Sequence, residues 1–404
     1  MSARMVIGDV FDCLAATPDG SVDLILTSPP FLALRSYLPA DHPDKAKEIG
    51  SEPDPGAFID TLLALSAEWR RVLAPHGSIA VELGDTYSGR SGWDSAGDDT
   101  WTNNPDGRMV ATGWRSRPAK PDCGDGWPEA KSLALVPESY RLALAYGRNP
   151  ITGTESPAGR WKVRNVVRWC RPNPPVGALG DKFRPGTSDM VIACTSARRY
   201  FDLDAVRTDH KRPAESNSLK HGEPAHDDSR NHLTPGRDAY YSGGNPAGAP
   251  PLDWWEVSTE AYSGSHYATW PRKLLTRPIL AMCPQRVCRE CGEPSRRIVD
   301  ITYSDVPDRP LRDRDIRERG RVGGKAHNDH RATEHETLGW TDCGHDAWRN
   351  GIVLDPFAGS GTTLAVATGL GRDAVGFDLD ERNAALAAER VGMFLTVETP
   401  ERAS

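Results

Sequence analysis

No run in this sequence approaches the roughly 18 apolar residues needed to cross a bilayer, and the opening stretch MSARMVIGDVFD lacks the apolar core of a secretory signal. A cytosolic protein is therefore expected, with no membrane partner. Positive charge is also short, with 49 Lys and Arg against 56 Asp and Glu and a formal net charge of −7. That balance argues against a protein that coats nucleic acid over its whole surface. Cysteine is sparse as well, at eight residues in 404. In a reducing compartment, clustered thiols read as metal ligands before disulfides.

What is present begins with length: 404 residues can bury a large core as two or three units, or as one elaborated α/β domain with insertions. Charge is uneven along it. Residues 141–240 hold 17 Lys and Arg against 11 Asp and Glu, and this local +6 within a total of −7 leaves −13 for the remainder. The asymmetry points to one anionic partner, although a solvated, charge-rich insertion has the same composition.

Strand and helix signals alternate from the start. RMVIGD reads as a strand and turn, VFDCLAAT as a short helix, and VDLILT as a buried strand that feeds Ser28-Pro29-Pro30-Phe31. Phe58, Leu62, Leu65, Trp69 and Leu73 recur at helical spacing, Pro75 to Gly77 stop that run, and SIAVELGD returns as a strand. Such alternation predicts a parallel sheet covered on both faces. Residues 86–132 show neither period and read as a long mobile loop or an insertion. SLALVPESYRLALAYG predicts a helix, WKVRNVVRWC and MVIACT predict strands, and WPRKLLTRPILAM a further helix with Pro271 in its first turn. Ten Gly and Pro between residues 213 and 250 forbid a continuous helix there. The chain closes with strand, glycine turn, helix, strand and helix over residues 351–393.

In DPFAGSGTT, Gly359 and Gly361 permit a tight turn and close backbone approach to a ligand before a helix N-terminus that favours negative charge. Leu364 stands where a dinucleotide fingerprint has its third glycine, so hydride chemistry loses support. Asp378, 19 residues after Gly359, ends the next strand, where it can accept from two ribose hydroxyls. An adenosine cofactor is the expectation.

The Ser-Pro-Pro-Phe loop suits methylation of an exocyclic amine. Two acceptors taking the amine's hydrogens favour a tetrahedral nitrogen whose lone pair attacks a sulfonium methyl in line. Ser28 offers a side-chain oxygen and Pro29 a carbonyl; Pro29 and Pro30 bring no competing N–H, and Phe31 offers a face for a flipped base. A proline-rich turn that merely closes a strand has the same sequence.

TSPPF and DPFAGSGTT together resemble the amino-directed DNA methyltransferases that use S-adenosylmethionine, and the catalytic loop preceding the cofactor loop resembles their permuted β group. The likeness covers residues 4–36, 56–86, 133–206, 266–281 and 352–393. It implies a Rossmann-like, doubly wound, circularly permuted α/β sheet, with Ser28, Pro29, Pro30 and Phe31 catalytic. It assigns Asp9, in IGD, to the adenine amino group and Asp378 to the ribose. Asp355, Phe357, Gly359, Gly361 and Thr362 fall to the methionine and adenosyl pocket. RWCRPNPP followed by SARRYFDLDAVR resembles a stretch in bacterial and phage members, without individual roles. HYATWPRKLL resembles the motif closing over the cofactor's methionine end, through His266, Tyr267 or Thr269; a plain helix start fits equally. Members with serine at the first loop position are often cytosine-N4 enzymes, whereas adenine-N6 enzymes usually carry Asp or Asn.

Cys288 and Cys291 form a C-x-x-C pair, and Cys343 and His345 a second pair beyond 51 intervening residues. Such a set suits a tetrahedral structural zinc tying off the Arg-rich loop 296–335, with Cys283 a substitute ligand under another pairing and reduced surface thiols as the bland reading. No catalytic zinc pattern with a nearby acid occurs, which disfavours a deaminase. Residues 207–264, with His210, His221, His226 and His232, lie where the resembled family keeps its variable specificity region.

The expected organisation is a catalytic half over 1–206, a DNA-recognition insertion over 207–265, a cofactor-closing helix over 266–282, a zinc-binding insertion over 283–350 and an S-adenosylmethionine-binding half over 351–404. The expected function is methylation of cytosine N4 in double-stranded DNA after base flipping. Adenine N6 is the alternative, followed by a zinc-bearing DNA-binding module without catalysis.

Overall fold

The computed structural model describes residues 1–34, 36–39, 41–89, 100–103, 109–112, 126–174, 182–209, 247–260, 270–305 and 330–398. From the N-terminus, β1 (Ala3–Ile7), α1 (Val10–Ala15), β2 (Val22–Thr27), α2 (Pro55–Val72) and β3 (Leu73–Leu83) alternate as the apolar pattern predicts. All six residues of β2 are buried, as suits a strand covered on both faces. In α2, Asp54 caps the first turn by accepting from the Ala57 amide at 2.8 Å, and Pro55 sits where no amide is needed. Phe58, Leu62, Leu65 and Trp69 then recur along one fully buried stripe. Burial of a side chain of this kind contributes about 1.5–3 kcal/mol. The helix ends at Val72, so the Pro75–Gly77 stretch expected to stop it lies inside β3 instead.

Next come β4 (Thr100–Asn103), β5 (Met109–Thr112), α3 (Val136–Tyr146), β6 (Lys162–Cys170), β7 (Thr187–Cys194), β8 (Trp254–Glu256) and α4 (Arg272–Met282). They are followed by β9 (Arg286–Cys288), β10 (Arg297–Asp305), β11 (His330–Trp340), β12 (Trp348–Asn350) and β13 (Ile352–Asp355). The last elements are α5 (Thr362–Gly369), β14 (Asp373–Asp378), α6 (Arg382–Val391) and β15 (Leu395–Glu398). Two stretches read as loops contain antiparallel ladders, β4 with β5 and β10 with β11. Four-residue strands are too short to display a period, and the β10–β11 ladder shifts register between Ile298 and Val299 and between Thr302 and Tyr303. Pro271 occupies the N-cap of α4 rather than its first turn, and Pro278 lies within that helix.

The chain divides into two units. The larger comprises Met1–Phe201, Leu252–Ser295 and Cys343–Ser404. Its main sheet has strand order β15-β1-β14-β13-β2-β3-β7-β6-β8. β1, β14, β13, β2 and β3 run parallel, while β7 is antiparallel to β3 and β6. N-terminal β1 sits between the C-terminal strands β14 and β15. On one face α1, α2 and α3 enclose a core that includes Ile25, Ile79, Val81 and Tyr140. The alternate residues Leu24, Leu26 and Ala80 are buried on the other face, where α4 packs on β2, β3 and α5. The smaller unit, Asp202–Pro251 with Arg296–Asp342, contains the β10–β11 ladder. Within it Arg297 donates to both carboxylate oxygens of Asp202, at 3.1 Å from Nε and 2.8 Å from Nη2.

Progress through the sheet reverses between β13 and β2: β13 and β14 step one way, β2, β3 and β7 the other. The crevice beyond the carboxyl ends of strands at such a reversal is where open α/β sheets bind ligands. β2 and β13 pair at Leu24 with Val353 and Ile25 with Leu354, and buried polar groups reinforce this seam. Asp23 accepts from the Ile352 amide at 2.7 Å and from Arg349 Nη1 and Nη2 at 2.5 and 3.1 Å, and faces His76 Nε2 at 2.9 Å. Burial alone would raise its carboxyl, but the bonds to His76 and Arg349 outweigh it and hold the group below the ordinary carboxylate range. Asp23→Ala, which takes the shared acceptor from buried His76, half-buried Arg349 and the Ile352 amide, should cost about 3–5 kcal/mol in urea unfolding. A pKa lowered by folding stabilises above the unfolded value and is lost as pH falls through the folded one. Asp23→Asn should therefore flatten the acid limb of the stability curve below about pH 4.

Candidate active site

Five adjacent parallel strands deliver the motif residues to one edge of the sheet. In sheet order, Asp9 follows β1, Asp378 ends β14, Asp355 ends β13, Ser28 follows β2, and Glu82 and Gly84 flank the end of β3. Segments more than 300 residues apart in sequence thus leave neighbouring strands together. The last residues of the two central strands are joined directly, since Thr27 Oγ1 donates to Asp355 Oδ1 at 2.7 Å.

Around the Ser-Pro-Pro-Phe loop, Ser28 is half-buried and its hydroxyl donates to Glu82 Oε2 at 2.6 Å. That bond points the serine proton inward and leaves oxygen lone pairs free to accept from a substrate. Pro29 is buried. Phe31 lies over Gly84, where an added Cβ would come within 2.6 Å of the ring. Glu82 and Gly84 are two residues apart and share a face, so β3 orients the hydroxyl and makes room for the ring. Burial raises the Glu82 carboxyl, opposed by hydrogen bonds from Ser188 and Ser28 and by the charge of Arg171. Arg171 Nη1 in turn donates to Ser188 Oγ at 3.1 Å, and its guanidinium stacks 4.6 Å from the Trp169 ring centre. Sequence reading overlooked Glu82, Ser188 and Arg171 as site residues. An acid inside the otherwise apolar SIAVEL strand was the available signal for Glu82.

On the glycine side, Gly359 and Gly361 adopt φ of +52° and +75°. Beyond Gly359 the place of a Cβ is open space, whereas at Gly361 it would meet Ala387 at 2.9 Å, so this glycine lets α6 approach. The Gly359 amide donates to Asp378 Oδ2 at 2.7 Å, and the Asp380 amide and Asn383 Nδ2 donate to Oδ1 at 2.8 and 3.0 Å. Burial raises this carboxyl to about 6 against those donors. Asp355 is also raised to about 6 by burial, and its oxygens accept from Thr363 Oγ1 at 2.5 Å, from Thr27 and from the Phe357 amide at 3.1 Å. Phe357 packs partly buried against the core. Thr362 is buried and takes a hydrogen bond from Arg390. Asp9 accepts from the Phe11 and Asp12 amides at 2.9 and 3.3 Å as the N-cap of α1. The Gly8 amide reaches the Asp378 carbonyl at 2.8 Å.

Elsewhere in the larger unit, the ligand atoms of Cys288, Cys291, Cys343 and His345 all lie within 4.8 Å of one another. Cys283 is fully buried and is not part of that group. His266, Tyr267 and Thr269, and also His210, His221, His226 and His232, lie outside the described residues.

The DNA methylase family, N6_N4_Mtase, matches residues 22–287 and 344–389. The chain belongs to this family, the S-adenosylmethionine-dependent amino DNA methyltransferases that its two loops resemble. The Type II methyltransferase M.SmaI of Serratia marcescens is 24% identical over 390 residues, 96% of this chain and 91% of that protein. M.SfiI of Streptomyces fimbriatus is 28% identical over 207 residues, 51% of this chain but only 39% of that protein's length. Among solved structures, PvuII DNA methyltransferase (cytosine-N4-specific) aligns with a TM-score of 0.49 at 13% identity, covering 96% of this chain and 86% of that one.

The Thr27–Asp355 bond gives a test with a defined sign. Thr27→Val should cost about 1–3 kcal/mol at pH 7.5, where the Asp355 carboxylate is left short of a donor. Folding raises this carboxyl, so its contribution to stability is greatest below the unfolded value and is lost as pH rises through about 6. The penalty of the substitution should accordingly shrink at pH 5, as read by urea unfolding at both pH values.

Proposed function

We propose that this protein methylates the exocyclic N4 of a cytosine swung out of double-stranded DNA. The observation that carries the reading is the Ser28 hydroxyl held by buried Glu82 at the reversal of the sheet. In the resembled family, serine at this position accompanies cytosine-N4 enzymes more often than adenine-N6 enzymes.

The residues fit S-adenosylmethionine, because Gly359 opens onto free space and Asp378, which accepts from Gly359, Asp380 and Asn383, keeps about one acceptor position on Oδ2 for a sugar hydroxyl. When bound, the cofactor supplies an electrophilic sulfonium methyl group. Asp378 would hold the ribose and Asp9 the adenine amino group, while Phe357, Gly359, Gly361 and Thr362 would shape the wall around them. Asp355 acts behind that wall, holding the turn through its hydroxyl donors. The seating of β1 between β14 and β15 supports a circular permutation of the methyltransferase sheet.

Phe31 stacks the extruded base, while Ser28 Oγ and the Pro29 carbonyl accept the two amine hydrogens and leave the nitrogen lone pair free for in-line attack. As the new N–C bond forms, the amine proton facing Ser28 passes to Ser28 Oγ while the serine proton passes to Glu82, which burial makes the stronger base. Arg171 and Ser188 hold Glu82 in place. Residues 207–265 read the duplex, with Arg and Lys on phosphates and a few side chains on base edges.

Labelled cofactor and unmethylated duplex DNA, digested to nucleosides and resolved by mass, should give N4-methylcytosine; labelled N6-methyladenine would overturn the assignment. Ser28→Ala and Glu82→Gln should bind cofactor normally yet lose about 10²-fold or more in kcat. Full turnover in Glu82→Gln would mean that the proton leaves directly to water. Cofactor affinity should rise through about pH 6 as Asp378 ionises and level off above it, and Asp378→Asn should bind weakly without that dependence. Titration calorimetry between pH 5 and 8 reads both.

A further inference from the structure

We propose that Cys288, Cys291, Cys343 and His345 bind one structural zinc ion, independently of the methyl-transfer reading. Zinc with tetrahedral bonds near 2.3 Å to sulfur and 2.0–2.1 Å to nitrogen sets such ligands about 3.6 Å apart. Cys288 Sγ and His345 Nδ1 are 3.5 Å apart, and all four ligand atoms fall within 4.8 Å. Three soft sulfurs and an imidazole select zinc over magnesium or calcium, and a full set of four protein ligands leaves no open position for catalysis.

The local backbone is built for such an ion. Cys288 ends β9, which pairs antiparallel with β12, and Trp348 lies opposite it. The Gly292 amide donates to the Cys288 carbonyl at 3.1 Å, closing a tight turn over Cys288–Cys291. Gly292 has φ +72° and Gly344, between the other two ligands, has φ +82°, left-handed positions that let each turn fold back around a metal. The other ring nitrogen of His345 faces the Glu290 carboxylate at 4.0 Å, longer than a hydrogen bond but close enough for that carboxylate to orient a metal-bound imidazole after a small rotation.

The family match stops at residue 287 and resumes at 344, so all three cysteines lie outside it. The two ligand pairs stand at either end of the stretch 292–342. An ion that joins them closes that loop and removes the entropy of holding its ends together from folding.

The test uses the full chain, purified without chelator. Elemental analysis should find about one zinc per chain, and cobalt substitution should give the intense visible absorption of a tetrahedral thiolate site. Cys291→Ala should lose the metal, while His345→Cys should keep it and strengthen the thiolate-to-cobalt band. A chelator should lower the thermal midpoint of the native protein but not that of Cys291→Ala. Absence of bound metal together with no cobalt–thiolate absorption would overturn the proposal. So would a Cys288–Cys343 disulfide in the native protein, identified by mass spectrometry of the cross-linked peptides before reduction.

Discussion

The join between β2 and β13 is the constraint on which the rest of this structure depends. It brings the two ends of the polypeptide into one sheet, yet its backbone ladder pairs only Leu24 and Ile25 with Val353 and Leu354. Buried side chains complete it at both ends. Asp23 gathers Ile352, Arg349 and His76 at the entry of the strand, and Thr27 reaches Asp355 at the exit. Such groups stabilise only when fully satisfied, and a slipped register would part these partners and leave buried polar groups unpaired.

From that join the site follows by geometry. Parallel strands end on the same side, so a hydroxyl placed after β2 and a glycine turn placed after β13 must emerge as neighbours. Burial then sets the chemistry. Glu82, Asp355 and Asp378 are all raised by desolvation, but their surroundings divide their tasks. Asp355 is enclosed by hydroxyls, Asp378 accepts from the glycine-turn amide, and Glu82 stands behind a serine. Three carboxyls of one chemical type thus stand in three different hydrogen-bond settings, which the proposed function turns into structural, binding and positioning roles.

The βαβ alternation, the long stripe of α2 and the C-terminal strand-turn-helix were legible because each is a local pattern of several periods. Short ladders were not: TWTN and MVAT, and the charged β10–β11 pair, carry too few apolar residues to show alternation. The Ser28 loop and both glycines could be read as site material from their own residue types. Glu82, Ser188 and Arg171 could not be grouped with them, since Glu82 meets Ser28 across 54 residues and Ser188 and Arg171 meet Glu82 across still more. The cysteine pairs lay between, because spacing identified each pair and only folding brought the pairs together.

The sequence by itself determined the class of sheet, the Ser-Pro-Pro-Phe loop, the glycine turn and the identity of the candidate ligands, since these rest on residue types and spacings within a few turns of chain. The tertiary structure decided which strand lies beside which, which acid stands behind Ser28, and which carboxyls remain open to a ligand. Those depend on burial and on contacts between residues far apart in sequence, where desolvation and hydrogen-bond partners are defined only once the strands have taken their order.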